Sequence, residues 1–232
     1  IRRPPRSTLL PYTSLFRSPT LPTVTVTSPN GGESWLAGSL HNITWTATDN
    51  IAVTSITLEV STNNGGLYST IATGETTDGT YAWNVPNAPS TQAQVRVKAL
   101  DAAANTGNDF SNAVFSIVDG NSPVATVTSP NGGETWAAGS LHNITWTATD
   151  NIAVTSITLE YSTNNGGAYT TIATGEANDG TYAWTVPQVV STQALVRVKA
   201  FDAAANTGSD VSNAVFTIAD QSAPGVTVTA PN

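Results

Sequence analysis

The chain has 232 residues and no cysteine, with 8 Lys+Arg against 16 Asp+Glu and a formal charge of -8. Structural disulfides, thiolate metal sites and cysteine nucleophiles are excluded. With 39% hydrophobic but only 10% charged residues, this is the makeup of a folded Thr/Asn/Gly-rich protein with room for two ordinary domains. Arg2, Arg3, Arg6 and Arg17 hold half of the basic residues, so residues 19–232 carry +4 and -16. A balance that acidic disfavours nucleic acid and anionic membrane and suits divalent cations.

In chain order, Ile1–Ser18 (IRRPPRSTLLPYTSLFRS) has three prolines, four arginines, no alternation and no apolar run of signal-peptide length. It resembles the in-frame translation of a sequencing-adapter oligonucleotide, from which it departs at Leu10 and Ser14. Residues 1–22 are therefore expected to be an artefactual or disordered segment. Beyond them, Thr25–Asp119 recurs as Thr126–Asp220 at an offset of 101 residues, with 78 of 95 positions identical and no gap. A period of that size sets the domain boundaries before any motif is considered. It gives one unit at 23–119, a linker at 120–123, a second unit at 124–220, and a segment at 221–232 in which a third copy opens at Val226. Both ends of the chain then read as cuts in a longer array.

Within a unit the hydrophobic period is two, which predicts strands near 23–28, 41–48, 54–61, 67–72, 80–85, 91–100 and 112–118. Ile43, Trp45 and Ala47 are expected to face inward, as are Ile56, Leu58 and Val60, then Ala93, Val95, Val97 and Ala99, and finally Phe115 and Ile117. Trp83, Trp146 and Trp184 join Trp45 as expected core. Asn63–Gly66 and Asn164–Gly167 read as tight hairpin turns, because Asn and Gly tolerate positive φ. Seven short strands per hundred residues, separated by Gly, Asn, Pro and Asp, fit an all-β fold of tandem antiparallel sandwiches, immunoglobulin-like or fibronectin-like.

Catalytic constellations are scarce. His41 and His142 are the only histidines and occupy one repeat position, a spacing that does not assemble a triad. Glu33, Glu59 and Glu75, with Glu134, Glu160 and Glu176, offer carboxylates, but a small sandwich has little cleft between them. Glu59 alternates with Leu58 and Val60 and is expected to point to solvent, with Arg96 or Lys98 as salt partners. A calcium site is the more specific expectation. One pole of the second unit should gather Asp119, Asn121, Asp150, Asn151, Asp202 and Asn206, with Asp210 nearby, and hard oxygens of that kind suit Ca2+. Binding there would stiffen the junction; the competing reading is that Asp and Asn simply form turns. Exposed aromatic rings would suit a glycan. Trp35 and Trp136, in a loop after the NGGE turn, either plug the sandwich or contact sugar, with Tyr68 and Tyr169 as second candidates. Asn42-Ile43-Thr44 and Asn143-Ile144-Thr145 are formal glycosylation sequons on outward strand positions.

The strings SPNGGESWLAGSLHNITWTATD, SITLEVSTNNGG, DGTYAWNVP and VRVKALDAAANTGNDFSNAVFSI, in that order, resemble the extracellular Ser/Thr-rich domain related to the GPI-anchored fungal cell-wall glucan-assembly proteins. Bacterial secreted proteins carry similar domains. The resemblance covers residues 23–119 and 124–220 and implies extracytoplasmic, non-catalytic modules, often in tandem and attached to peptidases, glycan-active enzymes or surface anchors. It maps Trp35, Trp45, Trp83, Trp136, Trp146 and Trp184 as structural positions. The function expected is a spacer or adhesion module of a secreted or cell-surface protein; the alternatives are a glycan-binding module or an accessory domain of a secreted peptidase or glycoside hydrolase. Expected partners are neighbouring repeats and a cell-surface protein or glycan, with no nucleic acid and no membrane insertion. Calcium is the one cofactor in view.

Overall fold

A computed structural model describes residues 19–221 and 225–227. The expectation for Ile1–Ser18, and most of that for the strand opening at Val226, lies outside the described residues. The chain divides between Val118 and Asp119 into two compact units. The first contains β1 Thr23–Ser28, β2 Ser34–Leu36, β3 Leu40–Thr48, β4 Val53–Ser61, β5 Ser69–Glu75, β6 Thr80–Asn84, β7 Ser90–Asp101, β8 Thr106–Phe110 and β9 Phe115–Val118. One sheet has the order β1-β3-β6; the other has the order β2-β9-β7-β4-β5, with β8 also paired to β7. All these ladders are antiparallel except β2 with β9, which run parallel. The second unit repeats the plan with β10 Val124–Ser129, β11 Thr135–Ala137, β12 Leu141–Thr149, β13 Val154–Ser162, β14 Thr170–Glu176, β15 Thr181–Thr185, β16 Ser191–Asp202, β17 Thr207–Val211 and β18 Phe216–Ala219.

Alternation builds the core. Along β7, Ala93, Val95, Val97 and Ala99 are fully buried, while Arg96 and Lys98 take the other face. Ile43 and Trp45 of β3, Ile56 and Leu58 of β4, Trp83 of β6, and Phe115 and Ile117 of β9 complete the apolar layer between the sheets. The all-β sandwich expected from the two-residue period is what the chain forms. At Asn63–Gly66 the turn is closed by Gly66 N–H donating to Asn63 O at 3.2 Å, with Asn64 at φ 55° and Gly65 at φ 81°. Two consecutive positive φ values match the right-handed twist of the strands they join.

Two strands are displaced from expectation and two are additional. The strand expected at 67–72 lies at Ser69–Glu75, because Asn63 Oδ1 accepts from Leu67 N–H at 2.9 Å and holds Leu67 in the turn. The strand expected at 112–118 starts at Phe115, and two unexpected strands, β2 and β8, flank the sheet. Strand β8 (TGNDF) has almost no apolar alternation; pairing with β7 and a role in closing the sandwich place it there. Asp109 Oδ2 on β8 accepts Val26 N–H of β1 at 2.8 Å, and Asp210 Oδ2 accepts Val127 N–H at 2.8 Å. Gly107 and Gly208 allow this approach, since a Cβ on either would overlap the carbonyl oxygen of Pro22 or Pro123.

Candidate functional site

The six tryptophans lie inside. Trp35, on β2, is only 7% exposed and stacks flat on His41, with ring centroids 4.5 Å apart and an interplanar angle of 3°. It also meets Trp83 edge-on at 6.0 Å and Phe115 at 5.2 Å. Trp136 does the same with His142 at 4.4 Å, Trp184 at 6.1 Å and Phe216 at 5.2 Å. The exposed, sugar-contacting alternative for Trp35 and Trp136 is therefore corrected: pairing of β2 with β9 and of β11 with β18 turns both rings into the sandwich as plugs. Trp45, Trp83, Trp146 and Trp184 are buried as core. The histidines thus serve as flat lids on indoles. Tyr68 and Tyr169 have a guanidinium over the ring, Arg96 at 4.1 Å and Arg197 at 3.8 Å, so that face of each ring is already taken. Burial raises the Tyr68 hydroxyl pKa, the Arg96 charge lowers it and Glu59 raises it, and the net direction is upward.

The glutamates have structural occupations. Glu59 is 8% exposed, so the solvent-pointing expectation is corrected: it lies under the side chains of β7. Arg96 Nε donates to Glu59 Oε2 and Lys98 Nζ donates to Oε1 at 3.0 Å. Both proposed salt partners are engaged together. In the second unit Arg197 reaches Glu160 at 2.6 Å and Lys199 at 3.3 Å. Burial pushes both carboxyls up, but the hydrogen bonds and charges of the paired Arg and Lys outweigh it and hold them below the ordinary glutamate range. Glu134 accepts Asn131 N–H at 2.7 Å and Gly132 N–H at 2.8 Å, and Glu33 clasps the same loop of the first unit. For Glu134, burial raises the pKa and these backbone donors bring it down below its usual value.

Three of the aspartates named for the second unit lie close together. Asp119, Asp150 and Asp202 each present a carboxylate oxygen within 4.8 Å of the other two. The loop backbones hold them: Ile152 N–H donates to Asp150 Oδ2 at 2.9 Å, Asn121 N–H to Asp119 Oδ1 at 3.2 Å, and Asn206 N–H to Asp202 Oδ1 at 2.8 Å. Asn206 Nδ2 also donates to Asp202 Oδ2 at 2.7 Å and to the Asp119 carbonyl at 3.3 Å. With its amide turned toward Asp150, Asn151 donates to both carboxylate oxygens at 3.3 Å and accepts from Asn121 Nδ2 at 3.3 Å. Asp210 lies apart in role, bound to Val127 N–H. In the first unit Asp49 and Asp101 recur, with Asn105 donating to Asp101 Oδ2 at 2.7 Å and to Thr20 O at 3.2 Å. The 101-residue offset puts Ser18 where the second unit has Asp119. Burial raises the Asp101 pKa, and the donors of Asn105 and Ala103 bring it below its usual value.

Residues 22–97 match the family model of the bacterial Ig domain, and residues 129–219 match that of the Kre9/KNH-like N-terminal Ig-like domain. The chain is a tandem of Ig-like domains. Two different models matching two such similar units agree on this architecture and not on one named family. No curated protein matches the chain. Among solved structures it is similar to the fibronectin(III)-like modules of Clostridium thermocellum CbhA, with 16% identity over 89% of this chain and 100% of that one and a TM-score of 0.39. It is also similar to the N-terminal Ig1-2 module of the Drosophila receptor protein tyrosine phosphatase DLAR, with 12% identity over 86% and 100% of the chains and a TM-score of 0.28. No helix among the described residues is long and apolar enough to cross a membrane.

Proposed function

We propose that this tandem of Ig-like domains is a non-catalytic, load-bearing spacer or adhesion module of a secreted or cell-surface protein. The observation that carries the reading is the parallel pairing of β2 with β9, which joins the beginning of a unit to its end. Ser34, Trp35 and Leu36 lie opposite Ser116, Ile117 and Val118. Backbone bonds continue on both sides: Gly32 N–H to Val114 O at 2.9 Å, Ser116 N–H to Glu33 O at 2.8 Å, and Ala37 N–H to Val118 O at 2.9 Å. When a chain is pulled by its ends, two adjacent parallel strands at its start and finish slide lengthwise. Their bonds are then loaded together, whereas a peeled hairpin loses them one at a time. The second unit repeats this with Thr135, Trp136 and Ala137 opposite Thr217, Ile218 and Ala219. Single-molecule pulling on the whole chain should give two unfolding events, each releasing about 30 nm of contour. Extension without a resolvable rupture would overturn the reading.

A second reading concerns the acidic cluster. Three carboxylates within 4.8 Å of one another, ringed by asparagine amides, support calcium as a ligand of the second unit. Calcium at 100 times its Kd would add about 2.7 kcal/mol of stability. The melting temperature should rise at millimolar calcium, fall back with chelator, and stop responding in Asp119→Asn and Asp150→Asn. An unchanged melting curve removes this reading.

A further inference from the structure

The two units are identical at 78 of 95 positions, so the places where they differ are informative. Several of those places line a single groove of about 580 Å³ in the first unit, at the open margin of the sandwich where β5 and β6 end their respective sheets. Val60, Leu67 and Ser69 of its lining correspond to Tyr161, Ala168 and Thr170, and Asn84 and Ala88 correspond to Thr185 and Val189. The change at Val60 has a visible consequence. Tyr161 in the second unit lays its ring against Trp184, with centroids 5.4 Å apart, whereas the smaller Val60 leaves the side of Trp83 as groove wall.

We propose that this groove binds a neutral carbohydrate, one pyranose ring seated against Tyr81 and Trp83. No residue lining it is charged, which selects against ionic ligands. Val60, Ile71, Trp83 and the 73% exposed Leu67 supply an apolar side. Thr70, Asn84 and the Tyr81 hydroxyl supply polar groups that have no side-chain hydrogen bond among the described residues. A sugar ring has that same division, with C–H groups on its faces and hydroxyls around its rim. Trp83 lines the groove although only 6% of it is exposed. The volume falls in the usual range for small-ligand sites.

The test is a titration of the whole chain with cello-, xylo-, manno- and chitohexaose, followed by proton–nitrogen correlation spectra of the indole and side-chain amide groups. A saturable shift of the Trp83 indole and the Asn84 amide is expected with at least one sugar, while the Trp184 indole stays in place. Val60→Tyr and Asn84→Thr, which import residues the second unit already carries, should each weaken binding at least tenfold and leave the fold intact. The proposal is overturned by no saturable shift with any of the four sugars, by equal shifts at Trp83 and Trp184, or by full binding in both variants. It goes beyond the load-bearing reading, since a silent titration would leave the pulling result as it stands and the reverse also holds.

Discussion

Trp45 and Trp146 occupy the same place in two nearly identical frames and differ by one hydrogen bond. Trp146 Nε1 donates to Asn178 Oδ1 at 3.2 Å, and Asn178 Nδ2 in turn donates to Ala148 O at 3.0 Å. The first unit has Thr77 at the Asn178 position, and Trp45 Nε1 is left buried without a partner. A buried donor without an acceptor costs about 1–3 kcal/mol. Thr77→Asn should therefore stabilise the first unit by about 1 kcal/mol in urea denaturation, and Asn178→Ala should destabilise the second by a similar amount or more. Trp45→Ala removes a ring that is 3% exposed and should cost about 3–5 kcal/mol. A loss under about 1 kcal/mol would contradict its burial. The inward stripe containing Trp45 was readable from alternation alone. The fate of Trp35 was not, because a lone indole after a glycine turn carries no periodicity, and only the parallel ladder with β9 decides which way it faces.

Strands are held to one another by groups that the sequence scatters. Glu59 on β4 bonds Arg96 and Lys98, which project from β7 with one residue between them, so a single carboxylate bridges two outward positions of the neighbouring strand. Period two places all three on the outer face but says nothing of the cover that two long side chains provide, which is why Glu59 reads as exposed in sequence and is buried in the fold. Its folded pKa lies below the unfolded value of about 4.3, so its contribution is present above that value and is lost as pH falls through the folded pKa. Glu59→Gln should cost about 1–3 kcal/mol at pH 7 and much less at pH 3, measured as urea midpoints of the variant and parent across that range. Strand β17 depends on a glycine. Alanine at Gly208 would drive its Cβ into the Pro123 carbonyl, and Gly208→Ala should destabilise the second unit by about 1–3 kcal/mol. Strands such as β8 and β17 were invisible to hydrophobic pattern because a carboxylate that caps a neighbouring sheet and a glycine that admits a carbonyl leave no alternation to read.

Over the whole chain, near-identity of the units makes each an internal control for the other, and the differences favour the second. Asn178 satisfies an indole that Thr77 does not. Tyr161 packs on Trp184 where Val60 leaves a groove. Leu195 is 8% exposed where the first unit has Gln94, so the second unit also buries more apolar surface. These sites involve different partners, and their effects should add approximately. A combined advantage of about 2 kcal/mol separates the melting of two hundred-residue domains by roughly 10 °C. Calorimetry of the whole chain should then resolve two transitions, the lower belonging to the first unit. Thr77→Asn should raise the lower one alone. Millimolar calcium should raise the upper one alone, because the third carboxylate, Asp119, has only Ser18 as its counterpart at the 101-residue offset. A single transition that moves as a whole under either treatment would show that the units do not melt separately, and a calcium response confined to the lower transition would place the cation away from Asp119, Asp150 and Asp202.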